Sequence, residues 1–193
     1  MKSPPTEGRL IVLSGPSGVG KDTVIAELMR RWPALRRPVA YTTRRPRPGE
    51  VDGRDYSFVD PPRFAALEAA NQFLETASVH GHRYGTSGVR VRELLAQGHD
   101  LLLKPDVQGA GQLLRSGVAA TFIFLAPPTR RDLEARLKGR GTESAEELEV
   151  RGRDADRELA ESSWYHHVVV NDEVGRAAQE IGHILFGEEA SSS

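Results

Sequence analysis

The sequence predicts an α/β fold built on a parallel sheet, and three observations predict it. Short, largely apolar runs recur at intervals, at Leu10–Leu13, Asp100–Leu103, Thr121–Leu125 and Val168–Val170, as expected of strands buried on both faces. Helical patterns fill the intervals, at Lys21–Arg31, Val107–Arg115, Arg130–Leu137, Glu146–Leu159 and Glu173–Leu185. Such alternation produces right-handed crossovers. The 193 residues, 38% hydrophobic and 27% charged, suit one globular domain with or without a small insert.

The chain opens with a small, polar and charged segment, residues 1–8, expected to be loose, as is the tail 187–193. The first strand then runs into Gly15-Pro16-Ser17-Gly18-Val19-Gly20-Lys21 and on into an amphipathic helix. This is G-x-x-x-x-G-K in its required setting of strand, loop and helix. Glycines let the backbone wrap an anion with its N–H groups turned inward, and the helix N-terminus adds positive potential. Four of the 26 basic residues are Lys, so Lys21 is a placed cation that reaches the β/γ-phosphates of a nucleotide. The position after it, where Ser or Thr normally meets Mg²⁺, holds Asp22, with Thr23 one residue late. A carboxylate is a hard oxygen ligand suited to Mg²⁺. It equally suits the first turn of a helix, and both roles stay open for Asp22.

From Arg44 to about Gly98 the alternation breaks. Pro, Gly and polar residues dominate, with short apolar pieces at Tyr56–Val59 and Phe73–Leu74. Pro61-Pro62 opens a helix over Arg63–Ala70. This reads as a small α+β insert. Its start, Arg44-Arg45-Pro46-Arg47-Pro48-Gly49-Glu50, is basic and proline-stiffened, and fits either a phosphate site or a solvated charged loop. Gly139–Ala145, charged and glycine-containing between two helices, has the character of a mobile lid.

Composition excludes several classes. Without Cys there is no disulfide scaffold, thiolate zinc site or cysteine nucleophile. A net charge of -1 offers no basic footprint for nucleic acid. No apolar run approaches the roughly 18 residues of a membrane helix, and the N-terminus lacks a signal-peptide core, so a cytoplasmic protein is expected. The six His residues have no partners at ligand spacing and are read as non-metal.

Four blocks then make a specific pattern with the phosphate loop: Thr42-Thr43-Arg44-Arg45-Pro46-Arg47-Pro48-Gly49-Glu50, Tyr84-Gly85-Thr86-Ser87, Asp106-Val107-Gln108-Gly109-Ala110 and Arg140-Gly141-Thr142. Together they resemble guanylate kinase, in that family's order and spacing, from about Arg9 to Leu185. The resemblance implies a P-loop NTPase three-layer core (9–43 and 99–186), a GMP-binding insert (44–98) and a lid near 139–150. It implies transfer of the γ-phosphoryl group of ATP to GMP, with Mg²⁺. Carried over by position, Arg44, Arg47, Tyr56 and Tyr84 hold the GMP phosphate. Glu75 reads guanine, helped by Thr86 and Asp106. Gly15, Pro16, Ser17, Gly18, Val19, Gly20, Lys21, Asp22 and Thr23 hold ATP, with Asn171 on the adenine side. Lys21, Arg44, Arg136, Arg140 and Arg151 supply the catalytic charge. Local readings stand beside these: Tyr56 and Tyr84 as packing aromatics, Arg136 as a surface residue, Asp106 as a helix cap.

Three positions depart from the family's pattern. Asp22 replaces a hydroxyl, Ala40 stands where a Ser near guanine is common, and Lys104-Pro105 precedes Asp106 where an acidic residue and an aliphatic are usual. Two other readings remain: a related P-loop kinase acting on a phosphorylated sugar, and a non-catalytic protein-binding module of guanylate-kinase type. The partners expected are small molecules, ATP and GMP, with no nucleic acid and no membrane. Whether the protein is a monomer or a homo-oligomer is left open by the sequence.

Overall fold

The computed structural model describes residues 7–79, 81–138 and 156–187. They form an α/β structure of eight strands. Strands β1 (Leu10–Ser14), β6 (Leu101–Leu103), β7 (Thr121–Ala126) and β8 (His167–Val170) make one sheet in the order β6-β1-β7-β8. Strands β2 (Tyr41–Thr42), β3 (Ser57–Phe58), β4 (Phe73–Val79) and β5 (His82–Ser87) make another in the order β3-β2-β5-β4. The helices include α1 (Lys21–Arg31), α2 (Pro61–Ala69), α3 (Gly88–Ala96), α4 (Val107–Arg115), α5 (Arg130–Lys138) and α6 (Val174–Phe186). The chain divides into two compact units, one of residues up to Ile11 with Leu35–Ala120, the other of Val12–Ala34 with Thr121 onward.

In the first unit each helix begins on a side-chain cap, so its free N–H groups are met locally. Asp60 accepts from Arg63 N–H before Pro61-Pro62, Ser87 from Arg90 N–H, and Asp106 from Gly109 N–H. The β4–β5 hairpin is antiparallel and pairs Glu75 with Thr86, after a bulge between Phe73 and Glu75. Phe64 of α2 is fully buried and stacks on Phe73 at 4.6 Å. Gln112 of α4 imitates a neighbouring strand. Its side-chain nitrogen donates to Thr76 O at 2.7 Å, and its side-chain oxygen accepts from Thr76 N–H at 3.1 Å.

In the second unit β7 and β8 pair in parallel, Phe124 opposite Val168. Helix α1 turns Val24, Ile25 and Leu28 inward, and α6 turns Ala177, Ala178, Ile181 and Leu185. The two helices pack on each other. Gly182 lies so close to Trp32 that a Cβ there would come within 2.0 Å of the indole.

The strands at 10–14, 101–103, 121–126 and 167–170 stand where the apolar runs predict them. Strand β8 departs from the expectation of two buried faces: Val168 is 49% and Val170 37% exposed, because β8 ends the order of its sheet. In the insert the sequence shows only Phe73–Leu74 of the seven-residue β4, and misses β5 and α3. Of the helix expected at Glu146–Leu159, residues 156–159 are described and are helical. Its earlier part and the lid region 139–150 lie outside the described residues.

Candidate active site

One group of candidate residues is at the turn from β1 into α1. Gly15 has φ +148°, and a Cβ on it would meet Leu125 O at 2.3 Å, so only glycine fits against β7. Gly20 is the helix cap at φ +99°, with Asn171 Nδ2 2.6 Å from where its Cβ would be. Lys21 Nζ donates to Gly15 O at 2.5 Å and Pro16 O at 3.0 Å, holding the ammonium at the loop. Asp22 and Thr23 are exposed in the first turn of α1. Ser17 N–H donates to Glu158 Oε2 at 3.2 Å, so a carboxylate stands at one of the loop's backbone donors.

Behind the loop, two side chains meet one carbonyl. Val19 O accepts from Asn171 Nδ2 at 2.8 Å and from Arg136 Nη1 at 3.0 Å, and Arg136 Nη2 donates to Asn171 O at 2.9 Å. Asn171 N–H donates to Ala126 O at 2.8 Å, which ties it to the end of β7. Asn171 is 3% exposed.

A second group of candidate residues lies in the other unit. Glu75 on β4 is 6% exposed, and Thr86 O–H donates to its Oε1 at 2.5 Å. Its Oε2 lies 2.4 Å from where a Cβ of Gly109 would stand, so glycine at that position of α4 leaves room for the carboxyl. Burial pushes the Glu75 carboxyl up to about 7; the Thr86 hydroxyl works against the rise and the Asp106 charge adds to it.

The same unit holds a cationic cluster. Arg44 makes a bidentate pair with Glu50, 2.8 Å and 3.0 Å, and its guanidinium lies 5.6 Å from the centre of the Tyr56 ring. Tyr56 and Tyr84 pack edge to face at 5.9 Å. Arg44 Nε is buried with no hydrogen-bond partner among the described residues. The Arg44 guanidinium holds the Glu50 carboxyl below the usual carboxylate range, burial opposing it.

Of the residues the sequence singles out, Arg44, Tyr56 and Tyr84 gather in one place, Glu75, Thr86 and Asp106 in another, and Lys21, Arg136 and Asn171 at the loop. Arg47 donates its backbone N–H to Glu50 at 2.7 Å, and its side chain is exposed. Arg140 and Arg151 lie outside the described residues. Glu50, Glu158 and Gln112 were missed as site residues. Glu50 had a signal, an acid closing a proline-stiffened turn six residues after Arg44. Glu158 and Gln112 had none, since both meet distant backbone.

A strand that feeds a glycine loop, a lysine held at that loop and a helix that starts beneath it define a P-loop NTPase fold. The family model for guanylate kinase matches residues 7–188. The chain belongs to the guanylate kinase family, nucleoside monophosphate kinases that pass a phosphoryl group from ATP to GMP. It is 42% identical to the guanylate kinase of Geobacter sulfurreducens over 97% of this chain and 92% of that one. It is 46% identical to the Mycobacterium bovis enzyme over 95% and 89%. The crystal structure of guanylate kinase from Anaplasma phagocytophilum, 28% identical, superposes with a TM-score of 0.77 over 97% of this chain and 89% of that one.

Proposed function

We propose that this protein transfers the γ-phosphoryl group of ATP to GMP, giving ADP and GDP. The observation that carries this reading is Glu75, a buried carboxylate beside the Thr86 hydroxyl and the capped start of α4, in a chain with an intact phosphate loop. Guanine presents two adjacent donors, N1–H and its 2-amino group, and an ionised carboxylate accepts both. Adenine presents a bare acceptor at N1, which meets oxygen lone pairs and leaves buried groups unpaired. Thr86 and Asp106 complete the base side. Arg44, Arg47, Tyr56 and Tyr84 take the GMP phosphate, Arg44 through the planar fork it now shares with Glu50.

On the donor side, Gly15 to Thr23 cradle the ATP phosphates, with Lys21 reaching the β/γ oxygens, and Asn171 lies on the ATP side. A GMP phosphate oxygen attacks the γ-phosphorus. The bond from that phosphorus to the β–γ bridging oxygen breaks, and ADP leaves with the electron pair. The acceptor oxygen is already ionised near neutral pH, so catalysis is alignment and charge neutralisation. Lys21, Arg44 and Arg136 supply that charge, joined by Arg140 of the lid segment and Arg151 of the helix expected after it. Mg²⁺ accompanies the phosphates of ATP. Among the described residues no three His, Cys, Asp or Glu cluster to hold a metal, but Mg²⁺ bound mainly by phosphates and water needs only one or two carboxylates. Asp22, an exposed hard-oxygen donor at the start of α1, fits that need.

The division of labour follows: 9–43 and 99–186 as the kinase core, 44–98 as the GMP-binding insert, 139–150 as the lid. No helix of the described residues is long and apolar enough to cross a membrane, and small cytoplasmic nucleotides are the substrates this reading requires. An assay coupled to ADP release, run with GMP, AMP, UMP and ribose phosphates, tests it. GMP is expected to be the preferred acceptor. Equal turnover of AMP, or turnover of a ribose phosphate alone, would overturn the reading.

A further inference from the structure

We propose that Asn171 is a positioning residue for the phosphate loop. With Arg136 it fixes the Val19–Gly20 peptide so that the Gly20 N–H faces the ATP phosphates. The inference rests on the phosphate-loop reading above and deepens it.

The Val19–Gly20 bond is trans, as no cis peptide occurs among the described residues. In a planar trans peptide the carbonyl and the following N–H point in opposite directions. Whatever holds Val19 O therefore aims Gly20 N–H. Two donors hold it, Asn171 Nδ2 at 2.8 Å and Arg136 Nη1 at 3.0 Å, which together fill the two lone pairs of the oxygen. They brace each other, since Arg136 Nη2 donates to Asn171 O. Asn171 is itself anchored by its backbone N–H to Ala126 O.

The arrangement is specific for an amide nitrogen at this point. Asn171 Oδ1 is buried with no hydrogen-bond partner among the described residues, so the side chain is kept in place with its acceptor end unsatisfied. An unsatisfied buried acceptor is destabilising, and the nitrogen end is the one the loop uses. The same nitrogen lies 2.6 Å from where a Cβ on Gly20 would stand, so glycine at 20 leaves room for Asn171 to reach past it to Val19. Loop glycine, asparagine and arginine form one locked unit drawn from three distant parts of the chain.

The test separates action on the loop from action on the base. Asn171→Leu keeps the size of the side chain, adds no charge and removes the donor. Binding of ATP and of inorganic tripolyphosphate, which has no base, is measured by calorimetry on the full chain, together with binding of GMP. The expected result is an equal loss for ATP and tripolyphosphate, about tenfold, with GMP affinity unchanged. A loss for ATP with tripolyphosphate unaffected would overturn the proposal, because Asn171 would then act at the base. An equal loss for GMP would also overturn it, as general damage. Arg136→Lys, which conserves charge and reaches only one of the two carbonyls, is expected to lower the same two affinities in the same ratio. It serves if Asn171→Leu does not fold, and unchanged tripolyphosphate binding in it counts against the proposal. A parent protein that binds neither ATP nor tripolyphosphate would overturn the phosphate-loop reading itself, and this role with it.

Discussion

Glu158 accepts a hydrogen bond from the backbone N–H of Ser17, 141 residues earlier, at 3.2 Å. The loop is therefore met by a carboxylate at one of its backbone donors, and in the proposed mode of ATP binding the phosphates have to displace that anion.

Replacing Glu158 with Gln removes that competing charge. The expected outcome is a lower KM for ATP, by about three- to tenfold, since hydrogen bonds to charged groups contribute about 1.5–3 kcal/mol and Gln retains a weaker acceptor. Steady-state kinetics at saturating GMP measures it. A KM for ATP that rises would show that Glu158 supports the loop.

Glu75→Gln should reduce the preference for GMP. In the parent, kcat/KM for GMP is expected to exceed that for AMP by at least about 100-fold, a ratio within reach of hydrogen-bonded discrimination. In the variant the ratio should fall mainly through GMP. The carboxyl must be ionised to accept two donors and is raised to about 7. Parent kcat/KM for GMP should thus climb from about pH 6 to about pH 8, approaching tenfold per unit on the acid side. Comparison with Glu75→Gln removes the contribution of the GMP phosphate's own titration.

The same group links stability to pH. The Glu75 carboxyl is raised from 4.5 to about 7, so the folded protein holds its proton more tightly than the unfolded chain. That contribution is full below the unfolded value, shrinks as pH rises and is lost through the folded value. Without nucleotide, the parent should lose on the order of 3 kcal/mol relative to Glu75→Gln between about pH 4.5 and pH 7. Denaturant unfolding of both proteins at the two ends of that window gives the difference.

Asp22→Ala should raise the Mg²⁺ needed for half-maximal rate and lower kcat, whereas Asp22→Ser, which restores a hydroxyl, should keep activity. Mg²⁺ titrations of the three proteins decide it. Unchanged Mg²⁺ dependence and kcat in Asp22→Ala would leave Asp22 as a helix-end residue.

The legible parts of this molecule are those whose cause is local. The glycine loop shows in its spacing, β1 and β7 in unbroken apolar runs, and α2 in Pro61-Pro62, which suit a first helical turn. Strand β4 stays hidden because Glu75, Thr76 and Ser78 interrupt it; their reasons lie in Thr86, in Gln112 and in solvent. The sequence also points to Asn171 and Arg136 but gives no sign of Val19 O. That acceptor is a backbone atom 152 residues from Asn171, and backbone atoms leave no trace in residue type.

Gln112 ties α4 to the backbone of β4 on both sides of Thr76, the residue after Glu75. The Glu75 carboxylate, proposed above to read guanine, and the helix whose cap is Asp106 are riveted together, with Thr86 joined through the hairpin. Any hinge in this unit must fall outside that assembly. If these groups read the base as proposed, they stand at fixed spacing before any nucleotide arrives, so GMP is expected to be told from AMP in the binary complex, without ATP, whichever substrate binds first.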